Sequence, residues 1–243
     1  MDTSIHDLNS QLIDRRLEEG LALLKEHYTV TKRSIAPELA AFNIGDRPYE
    51  SACYTIEGLG NLLVMLCKDV EQAQLSTFVI TPYAKNLPLF STDFVYTGDQ
   101  RYFLIELYDL VAYKDDLYNS YIEKFAQMGE GFSDMADMPV QKCWYDGIRP
   151  VCVGKAPKKD QDELALARFL EALELLVEME KASPALTDAD ALQAKWQKCK
   201  DYSDGLVNDG GVSTDMFLKA IGPENTRRFF DEVFFAPAAF RVE

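Results

Sequence analysis

With 243 residues, 47% of them hydrophobic, the chain can bury a core of its own, and one domain over 1–243 is the simplest division. A net charge of −15 argues against nucleic acid and anionic membranes as partners, since both select basic surfaces. Only two histidines, His6 and His27, both near the start, leave little for His-centred catalysis or a multi-His metal site, so an enzyme built on this chain would draw its acids from carboxylates.

The opening "MDTSIHDLNSQLIDRR" is polar and carries no apolar signal core, and no run reaches the roughly 18 apolar residues of a bilayer span. A cytoplasmic protein is expected. Its five cysteines, Cys53, Cys67, Cys143, Cys152 and Cys199, are scattered without a C-x-x-C pair, which points to reduced thiols rather than zinc or an iron–sulfur cluster.

From 3 to 27, Ile5, Leu8, Leu12, Leu17, Leu21 and Leu24 recur at helical spacing between charged residues and predict an amphipathic helix. From 51 to 112 the texture changes to short runs rich in Val, Ile, Phe and Tyr. They are divided by "GLGN" at 58–61, "KDVEQ" at 68–72, "PYAKN" at 82–86 and "TGDQ" at 97–100. Links this short cannot hold helical crossovers, so "SACYTIE", "NLLVMLC", "QLSTFVIT", "LFSTDFVYT" and "RYFLIELYDLV" read as an antiparallel meander.

Residues 115–128 read as helix, 129–139 as loop, and 140–154 as one or two further strands. The strongest helical pattern, "QDELALARFLEALELLVEMEKAS", is stopped by Pro184, and a second helix covers about 187–204 before "NDGG" at 208–211. Short helices follow on either side of Gly222-Pro223. The order helix, meander, helices predicts an α+β fold, a single antiparallel sheet with helices on its faces.

One residue sits awkwardly in this scheme. Alternation along 89–97 places Leu89, Ser91, Asp93, Val95 and Thr97 on one face and Phe90, Thr92, Phe94 and Tyr96 on the other. Phe103, Ile105, Leu107, Asp109 and Val111 share one face of the next strand, opposed by Tyr102, Leu104, Glu106, Tyr108 and Leu110, as in a sheet covered on both sides. A carboxylate in such a sheet is costly unless it is hydrogen-bonded, paired or protonated. Asp93 is therefore either an ordinary hydrogen-bonded residue at a solvated gap or the lining of a pocket whose desolvation makes it a proton donor.

The stretch "FVITPYAKNLPLFSTDFVYTGDQRYFLIELYDLV" resembles the ferredoxin-dependent bilin reductase family, linear-tetrapyrrole reductases related to red chlorophyll catabolite reductase. Leu87, Pro88, Leu89 and Phe90 match the family's Leu-Pro-hydrophobic-Phe run, and Asp93 falls on the aspartate that protonates the bilin. "KAIGPENTRRFFDEVFF" is similar to the family's closing helices, and "NDGG" lies close to its second polar site position.

The resemblance implies a three-layer α/β/α sandwich around a central antiparallel sheet, with a bilin such as biliverdin bound between the sheet and the C-terminal helices. It implies no intrinsic cofactor: electrons arrive singly from reduced ferredoxin, or flavodoxin, and the bilin holds them as radicals while a monomeric protein supplies protons and geometry. Asp93 would be the principal donor and Asp209 or Asn208 the second polar group. Ser76, Thr77, Ser91 and Val95 would touch the substrate, and Arg149 and Lys155 would meet its propionates.

Two departures stand out. Some family members carry a histidine on the strand before the aspartate; here the place falls near Ser76 or Thr77, which excludes a proton shared between His and Asp. An acidic ferredoxin would also need a local basic rim on this acidic chain, for which Lys155, Lys158, Lys159, Lys195, Lys198, Lys200, Arg227 and Arg228 are candidates. The sequence thus leaves three readings: a bilin reductase, a non-catalytic heme or bilin-binding protein of the same fold, and an unrelated α+β module.

Overall fold

The computed structural model describes residues 4–68, 73–211 and 214–242. It begins with α1 (Ile5–His27), whose first turn is capped by the Ser4 hydroxyl accepting from the Asp7 amide. The short elements β1 (Val30–Arg33), α2 (Pro37–Ala40) and β2 (Ala41–Ile44) follow. The meander is β3 (Arg47–Ile56), β4 (Gly60–Cys67), β5 (Gln74–Pro82), β6 (Leu89–Thr97) and β7 (Gln100–Tyr108). The "KDVEQ" link between β4 and β5 lies, after Lys68, outside the described residues, as does residue 3 of the first helix.

After α3 (Asp116–Glu130) come the two-residue β8 (Ala136–Asp137), a 3₁₀ turn over Trp144–Ile148 and β9 (Val151–Ala156). The chain then runs through α4 (Asp162–Ala182), α5 (Ala189–Asp209) and α6 (Thr214–Arg228), and closes on a π-helical turn at Phe229–Phe234. α6 is broken at Gly222 (φ 77°, ψ 165°), a left-handed conformation suited to glycine, and Pro223 opens its second half.

All strand pairs are antiparallel, in the order β1-β3-β4-β5-β6-β7-β9-β8, with β2 also paired to β3. Each face of the sheet has its own core. On one side Phe78, Phe90, Phe94, Phe103, Ile105 and Leu107 pack against α1, α3 and α4. On the other, Leu63, Val79, Leu89 and Tyr108 meet α5, α6 and the closing turn through Cys199, Tyr202, Phe217 and Phe230. The predicted alternation of β6 and β7 is thus realised, and the result is the α/β/α sandwich.

Several elements differ from the sequence pattern. β1, α2 and β2 precede the meander, because pieces of four residues are too short to show a period. α5 runs to Asp209, so Asn208 and Asp209 belong to its last turn. Within 140–154 only Val151 onward is strand; the 3₁₀ turn takes the rest of the apolar signal.

α1 departs most. The residues it buries are Asn9, Ile13, Arg16, Gly20 and Leu24; of the predicted stripe Leu24 is buried, while Leu12, Leu17 and Leu21 flank the contact half-buried. Gly20 allows this approach: a Cβ there would stand 2.9 Å from Cζ of Phe169 on α4. Arg16, only 3% exposed, comes to rest directly on the sheet.

Candidate active site

β5, β6 and β7 present Leu75, Thr77, Val79, Ser91, Asp93, Val95, Leu104 and Glu106 toward the C-terminal helices, and a cavity of about 500 Å³ opens there. Tyr202, Leu206, Phe217, Phe230, Phe234 and Phe235 cover it, and Met138, Tyr145 and Arg149 close one side. The volume lies within the range of about 300–1,000 Å³ usual for small-molecule sites. Among the described residues, three charged side chains line it: Asp93, Glu106 and Arg149.

Asp93 lies at the centre of the sheet wall. It sits directly opposite Thr77 on β5 and Leu104 on β7, and the Thr77 hydroxyl donates to its Oδ1 at 2.5 Å. Its surface toward the cavity is open, while protein surrounds it on every other side. Burial pushes its pKa from 3.8 up to about 6; the Thr77 hydrogen bond works against the rise, the nearby Glu106 carboxylate adds to it, and Arg16 opposes it.

Glu106 and Arg149 form a pair at 2.6 Å, with side chains 10% and 8% exposed. The other arm of the Arg149 fork reaches Asp146 in the 3₁₀ turn at 2.5 Å. Burial disfavours the charge of Arg149, yet Cys152 and Glu106 together hold its guanidinium above its ordinary range. Tyr108, Tyr145 and Tyr202 pack ring against ring beside this pair, with centroids 5.1 to 5.9 Å apart, and burial holds the Tyr108 and Tyr202 hydroxyls neutral far above their ordinary pKa.

Of the residues singled out in the sequence, Asp93, Thr77, Ser91, Val95 and Arg149 converge on the cavity. Ser76 does not: as the neighbour of Thr77 its side chain points through the opposite face, where it accepts from Arg16. Of these two residues Thr77 is the one that faces Asp93. Lys155 pairs with Phe103 in the β7–β9 register, which turns it to the α3 side of the sheet and into an ion pair with Asp137. Asn208 and Asp209 are exposed at the end of α5, with Asn208 accepting from Arg227, and neither lines the cavity.

The supposed basic rim is also reduced. Lys195 is fully buried and donates to the carbonyls of Leu87 and Leu110. Lys200, Arg227 and Arg228 are engaged with Asp204, Asp231, Glu38 and Glu232. Glu106, the tyrosine cluster and Arg16 were not singled out as site residues. Glu106 had a visible signal, since it shares the alternation face of Tyr108 on the strand next to Asp93.

The fold is an α/β/α sandwich with its cavity between the sheet and the C-terminal helices. The same fold is found in phytochromobilin synthase from tomato, solved in complex with biliverdin: the TM-score is 0.75 over 93% of this chain and 83% of that one, at 12% identity. In sequence the chain is similar to a 15,16-dihydrobiliverdin:ferredoxin oxidoreductase from Nostoc punctiforme, 25% identical over 225 residues that span 88% of this chain and 91% of the relative. No family model matches. The resemblance to the ferredoxin-dependent bilin reductases, first carried by the "LPLF" strand and Asp93, therefore extends over nearly the whole chain. Among the described residues no helix is long and apolar enough to cross a membrane.

Proposed function

We propose that this protein reduces a linear tetrapyrrole, a bilin such as biliverdin, with single electrons from a reduced ferredoxin and with Asp93 as proton donor. One observation carries the reading: a carboxyl group whose pKa is raised to about 6 sits on the wall of a largely apolar and aromatic cavity. At pH 7 roughly a tenth of such carboxyls hold a proton, enough for an acid that reloads from water between steps. The tyrosine and phenylalanine rings suit the faces of a planar conjugated pigment.

Reduction of one double bond takes two electrons and two protons. Each electron enters the conjugated system, and a proton from Asp93 neutralises the charge that results. Glu106 is occupied by its buried ion pair with Arg149. The propionates would lie near the mouth, where Arg149 is the cation on the wall.

Mixing the purified protein with biliverdin and then adding reduced ferredoxin tests the reading. A shifted absorption band followed by a new product band supports it. A shifted band that ferredoxin leaves unchanged would instead make this a bilin-binding protein, and no shift would sink both. Asp93→Asn is expected to keep the shifted band while a radical absorption accumulates under reduction; turnover at the wild-type rate would remove Asp93 from its role.

A further inference from the structure

We propose that Arg16 is a positioning residue for Asp93, acting through the sheet from the face opposite the cavity. The geometry is specific. Arg16 Nη1 donates to the Ser76 carbonyl at 3.0 Å and to its hydroxyl at 2.5 Å; Nη2 donates to the Thr92 carbonyl at 3.3 Å and to its hydroxyl at 2.5 Å. Ser76 precedes Thr77 and Thr92 precedes Asp93, so the guanidinium spans the β5 and β6 backbones beneath the facing pair Thr77–Asp93. The Phe94 and Phe169 rings, perpendicular to each other, both pack against it, at 3.8 and 4.7 Å from Cζ to the centroids.

This is a costly arrangement. A guanidinium taken out of water is normally offset by a carboxylate at hydrogen-bond distance, whereas all four acceptors here are neutral oxygens. The charged or titratable groups that act on Arg16 are Tyr96 and Asp93. On the cavity side the Thr77 hydroxyl donates to Asp93, and the other titratable or charged residues of the shared lining are Glu106, Arg149, Tyr49, Tyr102, Tyr108, Tyr145 and Tyr202. Arg149 is already held by Glu106 and Asp146, which leaves Arg16 as the cation whose charge is not cancelled by a contacting carboxylate. Its clamp fixes the separation of the two strands at the donor, and its field limits how far burial can weaken the acid.

The inference uses the reading of Asp93 as donor for its bearing on turnover, but its test needs no pigment. The Asp93 carboxyl is titrated by carbon NMR in the free protein, its signal assigned by loss in Asp93→Asn. Arg16→Gln is expected to raise the midpoint by roughly one pH unit, the order of magnitude for removing an opposite charge from a protein interior, and Arg16→Lys to restore most of the difference. Thr92→Val removes one acceptor and keeps the charge; it should lower the melting temperature and leave the midpoint in place.

Reciprocity supplies a measurement should Arg16→Gln not fold: in Asp93→Asn the Arg16 guanidinium should lose its proton at lower pH than in wild type. An unchanged Asp93 midpoint in folded Arg16→Gln, or an unchanged Arg16 titration in Asp93→Asn, would overturn the inference. So would a Thr92→Val shift as large as that of Arg16→Gln. None of these outcomes bears on whether biliverdin is bound or reduced.

Discussion

Thr77 and Asp93 stand opposite each other on β5 and β6, and the hydroxyl of the first donates to the carboxylate of the second at 2.5 Å. The bond favours the ionised acid, so it restrains the rise that burial imposes. Replacing Thr77 by Val keeps the side-chain shape and removes the donor. The Asp93 titration midpoint should then move upward from about 6, and stability should fall by about 1–3 kcal/mol at pH 8, where the carboxylate is ionised, and by less at pH 4. Urea unfolding at the two pH values reads the difference.

Asp93 itself gives a signed pH dependence. Its carboxyl is protonated more readily in the folded chain, at about 6, than in the unfolded chain near 3.8. The stability it contributes is therefore complete below the lower value and lost as pH rises through the upper one, up to about 3 kcal/mol in all. Asp93→Asn removes the titration. Its stability relative to wild type should climb between pH 4 and pH 7 and stay level above that; a flat difference across this window would show that the carboxyl is not desolvated.

Glu106 and Arg149 form the buried pair of the cavity wall. Arg149→Met leaves the carboxylate of Glu106 without its partner, and a cost of about 3–5 kcal/mol is expected. The double variant Glu106→Met with Arg149→Met should recover most of that loss. Denaturant midpoints of the three proteins decide it, and equal losses in the single and double variants would mean that the pair contributes nothing beyond packing.

At Gly20 α1 packs closely against Phe169 of α4. Gly20→Leu must displace the Phe169 ring, which also covers the Arg16 guanidinium. Overpacking of this kind costs about 1–3 kcal/mol, and the melting temperature should drop accordingly. Because Arg16 is one turn away on the same helix face, the Asp93 midpoint should move with it, whereas a destabilising change in α3 should leave that midpoint alone.

The meander was legible because alternation and turn residues act within a few positions of each other. The same rule put Asp93 on the correct face and would have put Glu106 beside it. Contacts set by the third dimension were not legible. Lys155 lies within β9, whose register with β7 decides which way it points. Asn208 and Asp209 looked like a helix break, yet the last turn of α5 continues through them. On α1 the leucines suggested one stripe, but close packing against Phe169 at Gly20 rotated the helix so that an arginine faces the core. A buried cation has no signature in hydrophobic periodicity, which counts it as a surface position.

The sheet ends abruptly at both rims. One is shared by the four-residue β1, with exposed Lys32, and the four-residue β2, both paired along β3, and the other is the two-residue β8, both of whose residues face solvent. Rims that are short and charged give another strand almost no template on which to extend the ladder. The described sheet is thus kept from recruiting a further strand, and the row of strands that builds the cavity wall is shielded at both ends from fibril-like growth.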